Sequence, residues 1–158
     1  MSTVYIETSI IGYLTARSRD AVIFQARQEL TRNWWNTRRH RYQLVTSQLV
    51  VDEVGAGDPT AAAERLALLD QIPLLDYSHS EIGPLAQELI QAHLLPKKAR
   101  SDAEHVAVAT VHGIEYILTW NCKHIANADT LPGIYRLLNE RGYVPPLIVT
   151  PEEFSGHG

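Results

Sequence analysis

The sequence predicts an α/β domain with a central five-stranded, mostly parallel sheet flanked by helices. Three observations carry that prediction. Short apolar, β-prone runs alternate with amphipathic helical windows along the whole chain, as in repeated strand–helix units. The first run, Thr3 to Ile6, starts almost at residue one with no polar lead-in, which suits a central, buried strand. The chain has 158 residues, 45% of them hydrophobic and 20% charged, enough for one core without covalent staples. The domain is expected over residues 1–150, with 151–158 as a C-terminal tail that ends in the small, polar run Ser155 to Gly158.

Taking the elements in order, the first strand ends in Glu7-Thr8-Ser9, and Ile10 to Leu14 resumes the apolar pattern. In open α/β sheets ligands sit at the C-terminal ends of strands. An acid followed by two hydroxyls is therefore a candidate site, although Glu7 could be an exposed residue with Thr8 or Ser9 capping a helix. A long helix is expected from Asp20 to His40, burying Val22, Ile23, Ala26, Leu30 and Trp34. Its end, Trp34 to Arg41, carries two tryptophans, three arginines and a histidine. That composition could contact nucleic acid or, through the tryptophans, a protein partner, but a solvated helix end with cations at the negative pole of the dipole is the favoured reading.

Tyr42 to Thr46 is the second strand, and Ser47 is placed to cap a helix from Gln48 to Val54 that Gly55 and Gly57 stop. At 100° per residue Glu53 falls inside the apolar arc of that helix, between Leu49 and Val50, while Asp52 falls outside. A helix starting at Asp58 or Thr60 buries Ala63, Leu66, Ala67 and Leu69. Ile72 to Asp76 is the third strand, and Ser80 to His93 a helix burying Ile82, Leu85, Ala86, Leu89 and Ile90. A basic loop, Leu94 to Arg100, follows.

The next helix has Ser101 as its candidate N-cap, with Ala103, Val106, Ala107, Thr110 and Val111 at helical spacing, and His112-Gly113 closes it. Asp102 lies within its apolar arc, between Ala109 and Val106, whereas His105 and His112 are expected on the outer, solvent flank. Asp102 reads either as an inward carboxylate that needs a cation or donors, or as a second N-terminal capping group. Ile114 to Thr119 is the fourth strand, Asp129 to Arg141 the last helix with Leu131, Ile134, Leu137 and Leu138 buried, and Leu147 to Thr150 the fifth strand.

Composition narrows the function classes. One cysteine, Cys122, rules out an internal disulfide and fits a reducing compartment. With neither a basic leader nor a long apolar run, a soluble cytoplasmic protein without membrane association is expected. The net charge of −4 does not suggest a general polyanion binder, though it permits local basic patches. Phosphate-cradling glycine motifs and the nucleophile elbow of hydrolases are both missing from the sequence. Acids gathered at one sheet edge, without the spacing of Cys or His ligands, favour a hard cation, Mg²⁺ or Mn²⁺. The cations of the 94–100 loop beside them would suit a phosphate substrate, and equally an ordinary exposed loop.

Four segments in order, Ile6-Glu7-Thr8-Ser9, Ser47 to Glu53, Ser101-Asp102 to Ala107, and Leu118-Thr119-Trp120-Asn121-Cys122-Lys123-His124, resemble the PIN domain family over nearly the full length. The likeness is greatest to the toxin half of bacterial type II toxin–antitoxin pairs (VapC-like). The resemblance implies a Mg²⁺- or Mn²⁺-dependent endoribonuclease with Glu7, Glu53 and Asp102 as metal ligands and Asn121 as a fourth catalytic position. Glu7 stands where Asp is usual and Asn121 where Asp is common, so three carboxylates remain. Ser9 resembles the hydroxyl that supports the first acid, and Ser9, Lys97, Lys98, Arg100 and Lys123 are the candidates to contact substrate. RNA, a cognate antitoxin and a second copy of the chain are the implied partners. Two other readings start from the same residues. One is a PIN-like module that binds RNA or protein without cutting. The other is a receiver-like phosphoacceptor domain, against which Thr46 counts because an Asp is required there.

Overall fold

The computed structural model describes residues 1–154. Among these are five strands and seven α-helices: β1 (Thr3–Ile6), α1 (Thr8–Thr15), α2 (Val22–Thr37), β2 (Gln43–Ser47), α3 (Gln48–Val54), α4 (Pro59–Leu69), β3 (Leu74–Leu75), α5 (Ile82–Gln91), α6 (Arg100–Val111), β4 (Tyr116–Leu118), α7 (Leu131–Glu140) and β5 (Leu147–Val149). The sheet order is β3-β2-β1-β4-β5 and every pairing is parallel. β1 is the central strand, as its early apolar run predicts, and Val4, Tyr5 and Ile6 are fully buried. The chain winds outward from β1 in both directions, so strand order reverses between β1 and β4. In a parallel sheet that reversal opens a crevice at the strands' C-terminal ends. The helices return antiparallel to the strands, which brings the N-terminus of α6 to the same edge. No described helix is long and apolar enough to cross a membrane.

Several local expectations are corrected. Val22 and Ile23 are 78% and 72% exposed, and Ala26 is exposed too. The buried face of α2 is instead Gln28, Thr31, Trp34 and Trp35. Polar anchors choose that face: the Gln28 amide donates to the carbonyls of Tyr13 and Ala16, tying α2 to the end of α1. In α4, Ala63 and Ala67 are exposed, whereas Ala62 and Leu69 are buried. Asp58 caps that helix, accepting from the Ala61 N–H. Ser47 occupies the N-cap position of α3, but its hydroxyl turns to Tyr5 instead of the helix. Ala99, not Ser101, precedes α6, which begins at Arg100, and α7 starts at Leu131 rather than Asp129. The third strand shrinks to two residues at the sheet edge.

The expected tail divides. Residues 155–158 lie outside the described part, while Phe154 packs its ring 4.8 Å from Tyr42 and 4.6 Å from Tyr116.

Three helices end in the same way. At the close of α5, α6 and α7 the N–H groups of two successive residues reach back to the helix: His93 to Ile90 and Leu94 to Leu89; Gly113 to Thr110 and Ile114 to Ala109; Gly142 to Asn139 and Tyr143 to Leu138. This is the Schellman arrangement, whose first residue must be left-handed. Gly113 has φ 67° and Gly142 φ 85°, conformations glycine adopts without strain. His93 takes φ 59° with a side chain attached. Gly113→Ala is expected to destabilise the protein by about 1–2 kcal/mol, read as a fall in Tm on thermal melting.

Candidate active site

The site is assembled at the β1–β4 crevice. The chain leaves β1 at Glu7, which is both the N-cap of α1 and a buried carboxylate, 4% exposed. Capping and candidate site are therefore one arrangement. Its Oε1 accepts from the Ser9 N–H at 3.2 Å, the Ser9 hydroxyl at 2.5 Å and the Thr119 hydroxyl at 2.5 Å. Thr119 follows β4, so residues 112 positions apart meet here. The Ser9 hydroxyl also accepts from the Trp120 N–H at 2.8 Å. Ser9 is thus committed to holding Glu7 and the β4 turn in register.

Glu53 reaches the site from α3, about a third exposed. Its Oε1 accepts from the Thr8 hydroxyl at 2.7 Å and lies 2.6 Å from His105 Nε2. His105 corrects the sequence expectation, since it is fully buried rather than on a solvent flank. Helix α6 has no such flank in this stretch, because Ala103 and every residue from His105 to Thr110 are buried. Behind His105 runs a dry chain: Nδ1 lies 2.7 Å from the Tyr5 hydroxyl, which lies 2.7 Å from the Ser47 hydroxyl. With neutral imidazole protonated on Nε2, the chain runs one way. Ser47 donates to Tyr5, Tyr5 to Nδ1, and Nε2–H to Glu53. An imidazolium reverses the first two bonds without moving a heavy atom.

Asp102, in the first turn of α6, approaches from the other side, its side chain 14% exposed. Its Oδ2 lies 2.7 Å from His124 Nδ1. Asn121 supports this pairing indirectly, as its Oδ1 accepts from the His124 N–H at 3.1 Å and so fixes the turn that presents the imidazole.

The electrostatics follow from the crowding. Burial alone would lower the His105 pKa, but the Glu53 hydrogen bond and the fields of Glu7, Glu53 and Asp102 outweigh it, so the net shift is upward. For Glu53, burial pushes the carboxyl up, and the His105 and Thr8 hydrogen bonds with the His105 charge bring it below the usual range. Burial pushes the Tyr5 phenol well up, so it stays a neutral donor.

Glu7, Glu53 and Asp102 each engage one oxygen. No hydrogen bond reaches Glu7 Oε2, Glu53 Oε2 or Asp102 Oδ1 among the described residues. The buried polar side-chain atoms without partners are Trp34 Nε1 and Arg38 Nε; Glu7 Oε2 and Asp102 Oδ1 are not among them, and Glu53 is about a third exposed, so the free oxygens reach the surface. Three spare carboxylate oxygens from three elements fit the all-oxygen coordination of a hard divalent cation. Among the described residues, however, no three His, Cys, Asp or Glu side chains lie close enough together to hold a metal ion as they stand.

The basic candidates separate. Arg100 turns away to Glu104, at 3.6 Å, and to Gln87, at 2.8 Å. Lys97 and Lys123 line one cleft together with His124. Lys98 is exposed and does not line it. Sequence reasoning missed His105 and Tyr5, and it named Thr8 and His124 only within longer segments, without the carboxylates they hold. The available signal was the spacing of Asp102 and His105, which puts both on one side of a helix.

Comparison with known proteins comes down to structure, since no family profile and no curated protein matches the chain. The fold is similar to that of VapBC-1 from nontypeable Haemophilus influenzae, with a TM-score of 0.55 at 15% identity over 95% of this chain and 98% of that one. VapBC-5 from Mycobacterium tuberculosis, a member of the VapBC family of toxin–antitoxin systems, gives a TM-score of 0.47 at 13% identity with the same coverage of both chains. The first likeness establishes the expected PIN-like α/β fold.

Proposed function

We propose that this protein is a Mg²⁺- or Mn²⁺-dependent endoribonuclease that hydrolyses RNA phosphodiester bonds, and that it is the toxin of a toxin–antitoxin pair. The observation that supports the reading is a chain of contacts at the C-terminal edge of the sheet: Thr8, next to Glu7, and His105, three residues after Asp102 on α6, both hydrogen-bond Glu53, and each of the three carboxylates keeps one oxygen without a partner among the described residues. A divalent cation held by them would lower the pKa of a bound water and neutralise charge on the phosphoryl group under attack. The chain's own residues prepare the site. Ser9 and Thr119 lock Glu7, Thr8 and His105 orient Glu53, and His124, set by Asn121, holds Asp102. The fold shared with a VapBC structure supports the toxin reading and an antitoxin as protein partner. A second copy of the chain and a cytoplasmic location belong to the same proposal.

The test is cleavage of end-labelled single-stranded RNA with Mg²⁺, Mn²⁺ or EDTA, by the native protein and by Asp102→Asn. Metal-dependent cutting that falls at least about 100-fold in the variant supports the reading. Cutting equal in both removes Asp102 from the site. Tight RNA binding with no cutting in either metal favours a non-cleaving module, the second reading. The neutral Asn121 supports that alternative, because its Oδ1 is occupied by the turn.

A further inference from the structure

A cleft of about 560 Å³ lies between the end of α5 and the turn after β4. Its apolar floor is Ile90, Leu94 and Leu95, and its rim carries His93, Lys97 and Lys123. The chain has 18 acidic and 14 basic residues, yet no Asp or Glu lines this cleft. Arg100 and Arg141, nearby in the chain, are each paired with a glutamate. Lys97 and Lys123 are exposed and pair with no carboxylate among the described residues. His124 lines the cleft and its Nδ1 lies 2.7 Å from Asp102 Oδ2, so this one imidazole stands between the cleft and Asp102.

His93 adds an independent observation. It sits at the left-handed closing position of α5, where α6 and α7 use glycine. A side chain at that φ is strained, and such strain is typically retained where the side chain has work at a site. Here it keeps an imidazole on the rim of the cleft.

We propose that this cleft seats the single-stranded RNA segment flanking the scissile phosphate. Its backbone phosphates lie on Lys97 and Lys123, and an unstacked base lies over the aliphatic floor beside His93. The charge pattern fits a polyanion, and the apolar floor fits a base rather than a bare phosphate. The proposal rests on the ribonuclease reading and adds a binding track to it.

The test uses a fluorescein-labelled, mixed-sequence single-stranded 12-nucleotide RNA in EDTA, titrated by anisotropy at several salt concentrations. Lys97→Ala with Lys123→Ala should weaken binding at least about tenfold and flatten the dependence of log K on log salt by about 1.4, the contribution of two single-strand phosphates. Arg32→Ala, which removes an exposed cation outside the cleft, should change affinity less than about twofold. His93→Gly should relieve strain and raise Tm by about 2–4 °C while weakening binding; a residue with only a structural role would not move the two in opposite senses.

Native protein that binds and cuts RNA, with affinity and salt slope unchanged in the double lysine variant, overturns the track and leaves the nuclease reading standing. RNA bound through both lysines but not cut in Mn²⁺ sustains the track and overturns the nuclease reading. RNA neither bound nor cut overturns both, as does an acidic peptide bound through the same lysines in place of RNA.

Discussion

Glu7→Gln is expected to remove at least about 100-fold of the RNA cleavage rate while leaving Tm nearly unchanged. The separation follows from how the carboxylate is held. All three of its hydrogen bonds converge on Oε1, from the Ser9 N–H and the hydroxyls of Ser9 and Thr119. A glutamine can place its carbonyl oxygen there and keep every donor satisfied, so the turn, the cap and the β1–β4 contact survive. The amide nitrogen then replaces Oε2 and faces the crevice. It cannot coordinate a cation, and it carries no charge. Disturbing only the support of a metal ligand already lowers activity by roughly 10–100-fold, so replacing the ligand should exceed that. Rates on labelled RNA set beside thermal melts would read both halves. A variant that cuts normally would place Glu7 outside the chemistry, and one that fails to fold would show that its charge is structural.

The second large effect is on stability. His105→Ala should lower it by about 3 kcal/mol, roughly 6–12 °C in Tm for a chain of this size. The substitution opens a cavity in a helix buried on all sides and removes two hydrogen bonds, leaving the Tyr5 hydroxyl with Ser47 alone and Glu53 with Thr8 alone. His105→Gln should recover part of the loss, because its amide nitrogen can still donate to Glu53. An alanine variant that melts within 2 °C of the native protein would show that the chain from Ser47 to Glu53 contributes little.

The sheet was legible because its signals are local. β-prone runs and glycine stops mark β1, β2 and the end of α6 whatever surrounds them. Helical angles also set Glu53 apart from Asp52 and placed Asp102 on the inward arc, and in the structure their carboxylates meet His105 and His124. The same reasoning misplaced His105, because an arc argument presumes a solvent side and α6 has none there. It misplaced Val22 and Ile23 for a related reason: the face of α2 is chosen by the Gln28 amide finding two carbonyls on α1. Ser47 looked like a helix cap because sequence cannot show that a tyrosine one strand earlier competes for its hydroxyl. Long-range polar partners decided each of these cases, and they leave no periodic trace.

The central position of β1 also has a consequence for synthesis. The first strand leaves the ribosome with neither neighbour in existence, and Glu7 waits 112 residues for Thr119. At about 5–20 residues per second that delay is roughly 6–20 s. Throughout it the nascent chain has no β1–β4 crevice and no gathered carboxylates. An enzyme that cuts RNA would thus stay inert through that whole interval, and would acquire its chemistry only after the turn following β4 has been made.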